Sequence, residues 1–493
     1  MSTRQADPTP RRLRIAVIGA GMAGILAAIR LRETGHHRVV IYEKAGRIGG
    51  TWRENTYPGL ACDVPAHAYT YSFAPNAEWS SYLAPGSEIQ RYFESVAQAH
   101  RLDEIIRYGE EVTRCELVDG RWHIETARGT QDDVDVVIAA TGVLHHPGTP
   151  DIAGLDRFAG PCFHSARWDH SVPLDGRRIG IVGCGSTGVQ IVSALAGRAS
   201  RLVHIQRTPQ WIMPVPNDPY TEEQKAAFRA DPALIDAIRY GEEYTSAVRR
   251  FTDAIVDQDS LQIREIEAIV LRNLEDSVTD PVLREKLRPD YRAACKRLIY
   301  SPDYYQKVQR PDVEVAIGPI RQIEPAGVRM ADGSLHEVDI LVLATGFRAD
   351  RFVRPMRVRG RNGADIDAAW SPAPSAYLGI SVPGFPNFFM LNGPTGPVGN
   401  FSLIDIAERQ WGYIGQLIAG IESGKCRMMD LKEATMRDYD ARRIAAAKRT
   451  IFGSGCKSWY LDATGVPSSW PWSYDSFAEQ TAAPKIAEYE YIP

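Results

Sequence analysis

The chain has 493 residues, enough for two or three domains. Its apolar fraction of 44% and charged fraction of 24% are those of an ordinary globular protein, and a net charge of −4 offers neither a basic stripe for nucleic acid nor an acidic solvating tail. No apolar run approaches the roughly 18 residues that span a bilayer, so neither nucleic acid nor membrane is expected as a partner.

The N-terminus, MSTRQADPTPRRLR, has arginines but no apolar run ahead of the first strand, so it reads as a frayed leader and not as a secretory signal. Arg14 to Ile18 reads as a buried strand, then come Gly19-Ala20-Gly21-Met22-Ala23-Gly24, a helical run to Thr34 and a strand ending at Glu43. This is the dinucleotide fingerprint in its proper setting. Gly19 makes the tight turn, Gly21 lets a pyrophosphate approach bare backbone, and Gly24 lets helix and strand pack closely. Glu43 lies about 20 residues on, where a carboxylate accepts from ribose hydroxyls.

A second glycine pair follows in GRIGGTW. Its Gly50, Thr51 and Trp52 resemble the extended pyrophosphate clamp of FAD-binding folds. The aromatic, turn-rich stretch ENTYPGLACDVPAHAYTYSF reads as a loop over a cofactor, and Ser87 to His100 as an amphipathic helix. Val134 to Gly142 reads as a strand entering an Ala-Thr-Gly turn.

The stretch FAGPCFHSARWD, from Phe158 to Asp169, reads as a loop that belongs to neither nucleotide unit, although its aromatics predict that it packs against something. The fingerprint then repeats as Gly183-Cys184-Gly185-Ser186-Thr187-Gly188, between the strand at Arg178 to Val182 and the strand LVHIQ. Where the first copy has Glu43, the second has Arg207, followed by Thr208. An acid there repels a 2′-phosphate and an arginine binds it, so the second unit is expected to take NADPH.

Residues 217–292 are rich in Glu, Arg, Ala, Leu and Ile and read as several helices inserted into the second unit, either a lid or plain scaffold. Lys296 and Arg297 stand before an aromatic segment, as a functional pair or as ordinary helix-end cations. Ile340 to Phe347 repeats the strand-and-turn pattern, with Ala344, Thr345 and Gly346 in the turn. The predicted fold is therefore α/β, with two Rossmann-like dinucleotide-binding domains: 1–145 for FAD, 146–216 and 293–349 for NADP around the 217–292 helices, and 350–493 as the return to the FAD domain and an aromatic tail. The seven cysteines are scattered, with no C-x-x-C pair, which predicts a reducing cytoplasm, no disulfide framework and no metal.

Phe158, Gly160, His164, Trp168 and Asp169 spell F-x-G-x-x-x-H-x-x-x-W-D, which resembles the signature of the type I Baeyer–Villiger monooxygenases. The resemblance extends over nearly the whole chain: both fingerprints, GGTW, YPG at Tyr57 to Gly59, and both Ala-Thr-Gly turns. It implies FAD and NADPH as cofactors, O2 and a ketone as substrates, and an ester or lactone formed through a C4a-peroxyflavin. It also implies roles: Arg297 as the catalytic arginine, Asp63 as the active-site aspartate, Lys296 on the NADP 2′-phosphate, Trp459 at the nicotinamide ribose, and His164 in domain coupling. Two stretches depart from the cyclohexanone-type enzymes, Arg53-Glu54 after GGTW and Pro65-Ala66-His67 after Asp63, and both lean toward aryl-ketone or polyketide-acting relatives. The competing readings are a flavin N- or S-oxygenase, which needs no Arg297, a non-oxygenating NADPH reductase, and a non-catalytic NADP(H)-binding protein.

Overall fold

The computed structural model describes residues 10–35, 37–399 and 401–493, so most of the arginine-bearing leader lies outside the described residues. Two five-stranded parallel sheets organise the rest. In the first the order is Phe388–Met390, Val136–Ala139, Arg14–Ile18, Arg38–Glu43 and Ile106–Tyr108. In the second it is Val313–Ile317, Arg201–Gln206, Arg178–Val182, Ile340–Leu343 and Cys162–His164. Their central strands are almost wholly apolar and buried, as strands covered on both faces must be.

The two units repeat one another in detail. Gly19 N–H donates to Tyr42 O and Ala140 N–H to Ile18 O; Gly183 N–H donates to Ile205 O and Ala344 N–H to Val182 O. In each unit the first fingerprint glycine takes a positive φ, 101° at Gly19 and 112° at Gly183, and a Cβ on either would press into the carbonyl of the Ala-Thr-Gly turn. A Cβ on Gly24 or Gly188 would overlap the carbonyl oxygen of Gly19 or Gly183. Each unit also carries a three-stranded antiparallel meander before its Ala-Thr-Gly strand, at Val112–Val118, Arg121–Thr126 and Gln131–Val134 and at Ile320–Glu324, Gly327–Met330 and Leu335–Glu337.

Two expectations are corrected. The stretch from Phe158 to Asp169 is not a free loop. Its Cys162–His164 is the edge strand of the second sheet, and a Cβ on Gly160 would overlap the Asp339 carbonyl oxygen. Three residues are too few to show a strand period, and Pro161 reads as a breaker, so the sequence hid it. Nor are the cysteines all free: Cys295 and Cys456 form a disulfide across 161 residues of chain. Spacing carries no signal for a pair that only the tertiary fold brings together.

The 217–292 region forms helices Glu222–Ala230, Ala233–Tyr240, Glu242–Val256, Leu261–Ser277 and Pro281–Lys286. It reaches back to the first unit. Arg239, 6% exposed, pairs with Glu408 at 2.9 Å and donates to the Thr70 carbonyl, while Arg229 meets Glu78 at 2.7 Å and Arg249 meets Asp475 at 3.0 Å. His67 is fully buried beneath the same helices, its ring 4.7 Å from that of Phe228 and 5.2 Å from that of Tyr220, and neither ring nitrogen has a partner among the described residues.

Burial holds the His67 pKa down to about 4, so the folded protein keeps the ring neutral while the unfolded chain protonates it near 6.5. Its stabilising contribution is present above pH 6.5 and is lost as pH falls toward 4. The expected loss between pH 7 and pH 5 is about 2 kcal/mol, read from urea midpoints, and His67→Phe should flatten that slope. Peptide mapping without reductant should recover Cys295 linked to Cys456, and Cys456→Ser should lower stability by about 2–4 kcal/mol.

Candidate active site

The first cleft is lined by Gly19, Gly21, Glu43, Gly50, Thr51 and Trp52 together with the Thr141 turn. Its two glycine turns abut: a Cβ on Gly50, at φ 55°, would lie 3.1 Å from the Gly21 Cα, so glycine at Gly50 keeps the backbone cradle bare. Helix Met22–Glu33 starts at Gly21 with no side-chain cap and no acid in its first turn, leaving its N–H groups and positive end for an anion. Glu43 is 4% exposed and accepts from Ala20 N–H at 2.8 Å and Ala45 N–H at 2.9 Å, with Arg53 Nη1 at 3.1 Å. The carboxylate is thus fixed at the strand end with lone pairs left for ribose hydroxyls. The donor set fits FAD.

The second cradle repeats this at helix Ser186–Leu195, which starts at Gly185 with no side-chain cap and no acid in its first turn. The buried Ser186 hydroxyl has no partner among the described residues. Thr187 Oγ1 lies 3.4 Å from the Tyr57 hydroxyl. At the end of the neighbouring strand Arg207 is exposed, and Lys296 Nζ donates to Thr208 Oγ1 at 3.1 Å. Burial lowers the Lys296 pKa against the opposing pull of Cys184 and Asp290, and the like charge of Arg207 adds a smaller push downward. An anion seated between the two cations relieves that repulsion, so the set fits a 2′-phosphate.

Lys296 and Arg297 are not helix-end cations. They lie in the run into strand Ile299–Ser301, just after Ala294, whose φ of 61° costs an alanine about 1–2 kcal/mol. Arg297 Nη2 donates to Asp63 Oδ2, and the two side chains are 32% and 19% exposed. The Asp63 charge, opposed by burial, raises the Arg297 pKa, so the guanidinium is charged throughout the working pH range. Asp63 arrives from the first unit because the YPG turn docks on the second: Tyr57 OH donates to Gln190 Oε1 at 2.9 Å, and Gln190 Nε2 donates to the Ala61 carbonyl at 2.9 Å. Val398 lines the first cleft, and a Cβ on the next residue, Gly399, would lie 3.1 Å from Arg297 Nη1, so the arginine adjoins the segment that borders that cleft.

The signature residues shape a strap between the units. His164 Nδ1 accepts from Ala166 N–H at 3.1 Å, which leaves Nε2 to donate to the Gly346 carbonyl at 3.0 Å. Phe158 packs on the core of the second unit, and Trp168 meets Phe163 edge-on at 5.1 Å. Asp169 closes a tight turn by accepting from Ser171 N–H and Oγ, which lowers its pKa. The bridging itself falls to residues outside the signature: Arg167 Nη1 meets Glu54 Oε2 at 2.8 Å and His170 Nε2 meets Thr56 Oγ1 at 2.8 Å.

Ala344, Thr345 and Gly346 sit where the first unit has Ala140, Thr141 and Gly142, and Thr345 Oγ1 donates to the Gly148 carbonyl at 2.6 Å. Trp459 is 47% exposed and stacks at 4.1 Å on Tyr460, which is 2% exposed and adjoins Arg297. The departures at Arg53, Glu54 and His67 are spent on Glu43, on Arg167 and on the aromatic nest under the inserted helices. They therefore bear on the cradle and the domain bridge. Sequence reasoning missed Tyr460, Gly399, Arg167 and the cystine. Only Tyr460 carries a signal, as the neighbour of Trp459 in the aromatic tail.

Residues 17–84 match the model of an NAD(P)-binding Rossmann-like domain, and residues 76–243 match the model of L-lysine 6-monooxygenase/L-ornithine 5-monooxygenase. An uncharacterized monooxygenase of Mycobacterium tuberculosis is 46% identical over 94% of this chain and 93% of its own. A Baeyer–Villiger monooxygenase of Streptomyces coelicolor is 38% identical over 97% of this chain and 93% of its own. Among solved structures, OTEMO in complex with FAD and NADP superposes with a TM-score of 0.86 at 26% identity, over 98% of this chain and 99% of that one.

Proposed function

This chain belongs to the type I Baeyer–Villiger monooxygenase family of FAD- and NADPH-dependent enzymes, and on that premise we propose that it oxidises a ketone to an ester or lactone, with Arg297 and Asp63 as its catalytic residues. The observation that carries this reading is the Arg297–Asp63 pair, one partner from each nucleotide unit, beside the segment that borders the first cleft. The flavin, reduced by NADPH, supplies the activated oxygen. Arg297 sets a permanent positive charge where negative charge builds on the attacking oxygen, and preorganised charge of this kind is commonly the largest catalytic contribution. Asp63 keeps that charge in place and offsets the cost of its partial burial.

Gly19, Gly21, Gly24, Glu43, Gly50, Thr51 and Trp52 hold FAD in this reading. Gly183, Gly185, Ser186, Thr187 and Gly188 cradle the NADPH pyrophosphate, and Arg207, Thr208 and Lys296 take its 2′-phosphate. Ala344, Thr345 and Gly346 pack the second cradle from behind, and Trp459 covers the nicotinamide end. The strap from Phe158 to Asp169 fixes the angle between the two nucleotides and so the exclusion of water between them. Nitrogen or sulfur oxygenation is the second reading. The match to an amino-acid N-monooxygenase model favours it, but that match ends at residue 243, before Arg297 is reached.

Oxygen uptake with NADPH should rise with a ketone drawn from a panel of cyclic, aryl and long-chain members. Arg297→Ala should retain FAD and flavin reduction while ester formation falls by about 100-fold or more; unchanged ester formation refutes the role. Arg207→Ala should raise the KM for NADPH about tenfold and leave that for NADH nearly unchanged, the loss of one charge-assisted contact.

A further inference from the structure

Asp63 holds only one side of the Arg297 guanidinium, through Nη2. The other side, Nη1, turns toward Gly399, where a Cβ would lie 3.1 Å from Nη1 and would overlap the Tyr460 hydroxyl. Gly399, at φ 85°, thus leaves open a notch in which the two groups meet. The guanidinium and that hydroxyl stand against the same glycine, which brings the hydroxyl beside Nη1. Tyr460 has no freedom to be elsewhere: its ring is stacked at 4.1 Å on Phe452 and at 4.1 Å on Trp459. The segment that carries it is joined covalently to the segment that carries the arginine, since Cys456 is bonded to Cys295.

We propose that Tyr460 is a positioning residue for Arg297, holding the side of the guanidinium that Asp63 leaves and seated for that purpose by the Cys295–Cys456 bond. A buried tyrosine that served packing alone would need no hydroxyl at this spot, because Phe fills the same stack. With two acceptors at its two ends the planar fork is fixed in rotation as well as in place, which a single carboxylate contact does not achieve. The C-terminal segment becomes part of the site in this way. The inference rests on the reading above for what the arginine does, but not for where the arginine sits.

The test is Tyr460→Phe in the FAD-loaded enzyme. A crystal structure with NADP+ should find the Arg297 guanidinium rotated or in two positions. Flavin reduction by NADPH should stay within about twofold of wild type, while hydrogen peroxide released per NADPH rises about tenfold, as a displaced charge predicts. Arg297 in its wild-type position with wild-type peroxide yield overturns the proposal. Should the Phe variant lose its flavin, Cys456→Ser, which unfastens the segment that seats Tyr460 and touches neither side chain, decides by the same two readings. A wild-type enzyme that converts no ketone sinks the functional reading, yet the position of Arg297 in the two crystals still decides this one.

Discussion

One ion pair joins the two nucleotide units at the candidate site. Asp63 comes from the unit that begins the chain and Arg297 from the unit built in its middle, and they meet half-buried. A charge drawn partly out of water is tolerated only with a close partner and further hydrogen bonds. Several features of the structure serve that demand. The YPG turn docks on helix Ser186–Leu195, Ala294 takes a left-handed turn, and Gly399 leaves a notch for the guanidinium.

The two nucleotide units show how one backbone recipe accepts different ligands. Their hydrogen bonds at the fingerprint turn correspond donor for donor, and the same carbonyl crowds the same glycine. What differs is the side chain after the second strand. Glu43 is buried and held by backbone N–H groups, whereas Arg207 is exposed beside Lys296 and Thr208. The first arrangement suits neutral hydroxyls that donate to a carboxylate; the second suits a phosphate dianion. Chemistry here is set by a few residues at the strand ends, over a shared scaffold.

The signature strap divides its labour. Its fixed positions make shape: Gly160 admits a carbonyl, His164 fastens the second Ala-Thr-Gly turn, and Asp169 closes a turn of its own. Arg167, between the fixed positions, and His170, just past them, reach across to Glu54 and Thr56. The inserted helices join the units as well, through the buried Arg239 on Glu408 and Thr70. The relative placement of the two units is therefore held from two sides, which is what transfer between nucleotides bound to them would require.

The nucleotide units were legible in the sequence because their determinants are local. A glycine fingerprint, its flanking strands and the residue about 20 positions on lie within one short span, and steric necessity at Gly19, Gly24, Gly183 and Gly188 forces the same residues wherever the fold occurs. Arg297 and Asp63 were identified through the family resemblance, since neither spacing nor periodicity relates residues so far apart in the chain. The edge strand Cys162–His164, the Cys295–Cys456 bond and the Tyr460 hydroxyl at Arg297 were decided by tertiary structure alone. Each joins segments whose meeting depends on how whole domains pack, and a side chain carries no mark of a partner that only folding brings within a few ångströms.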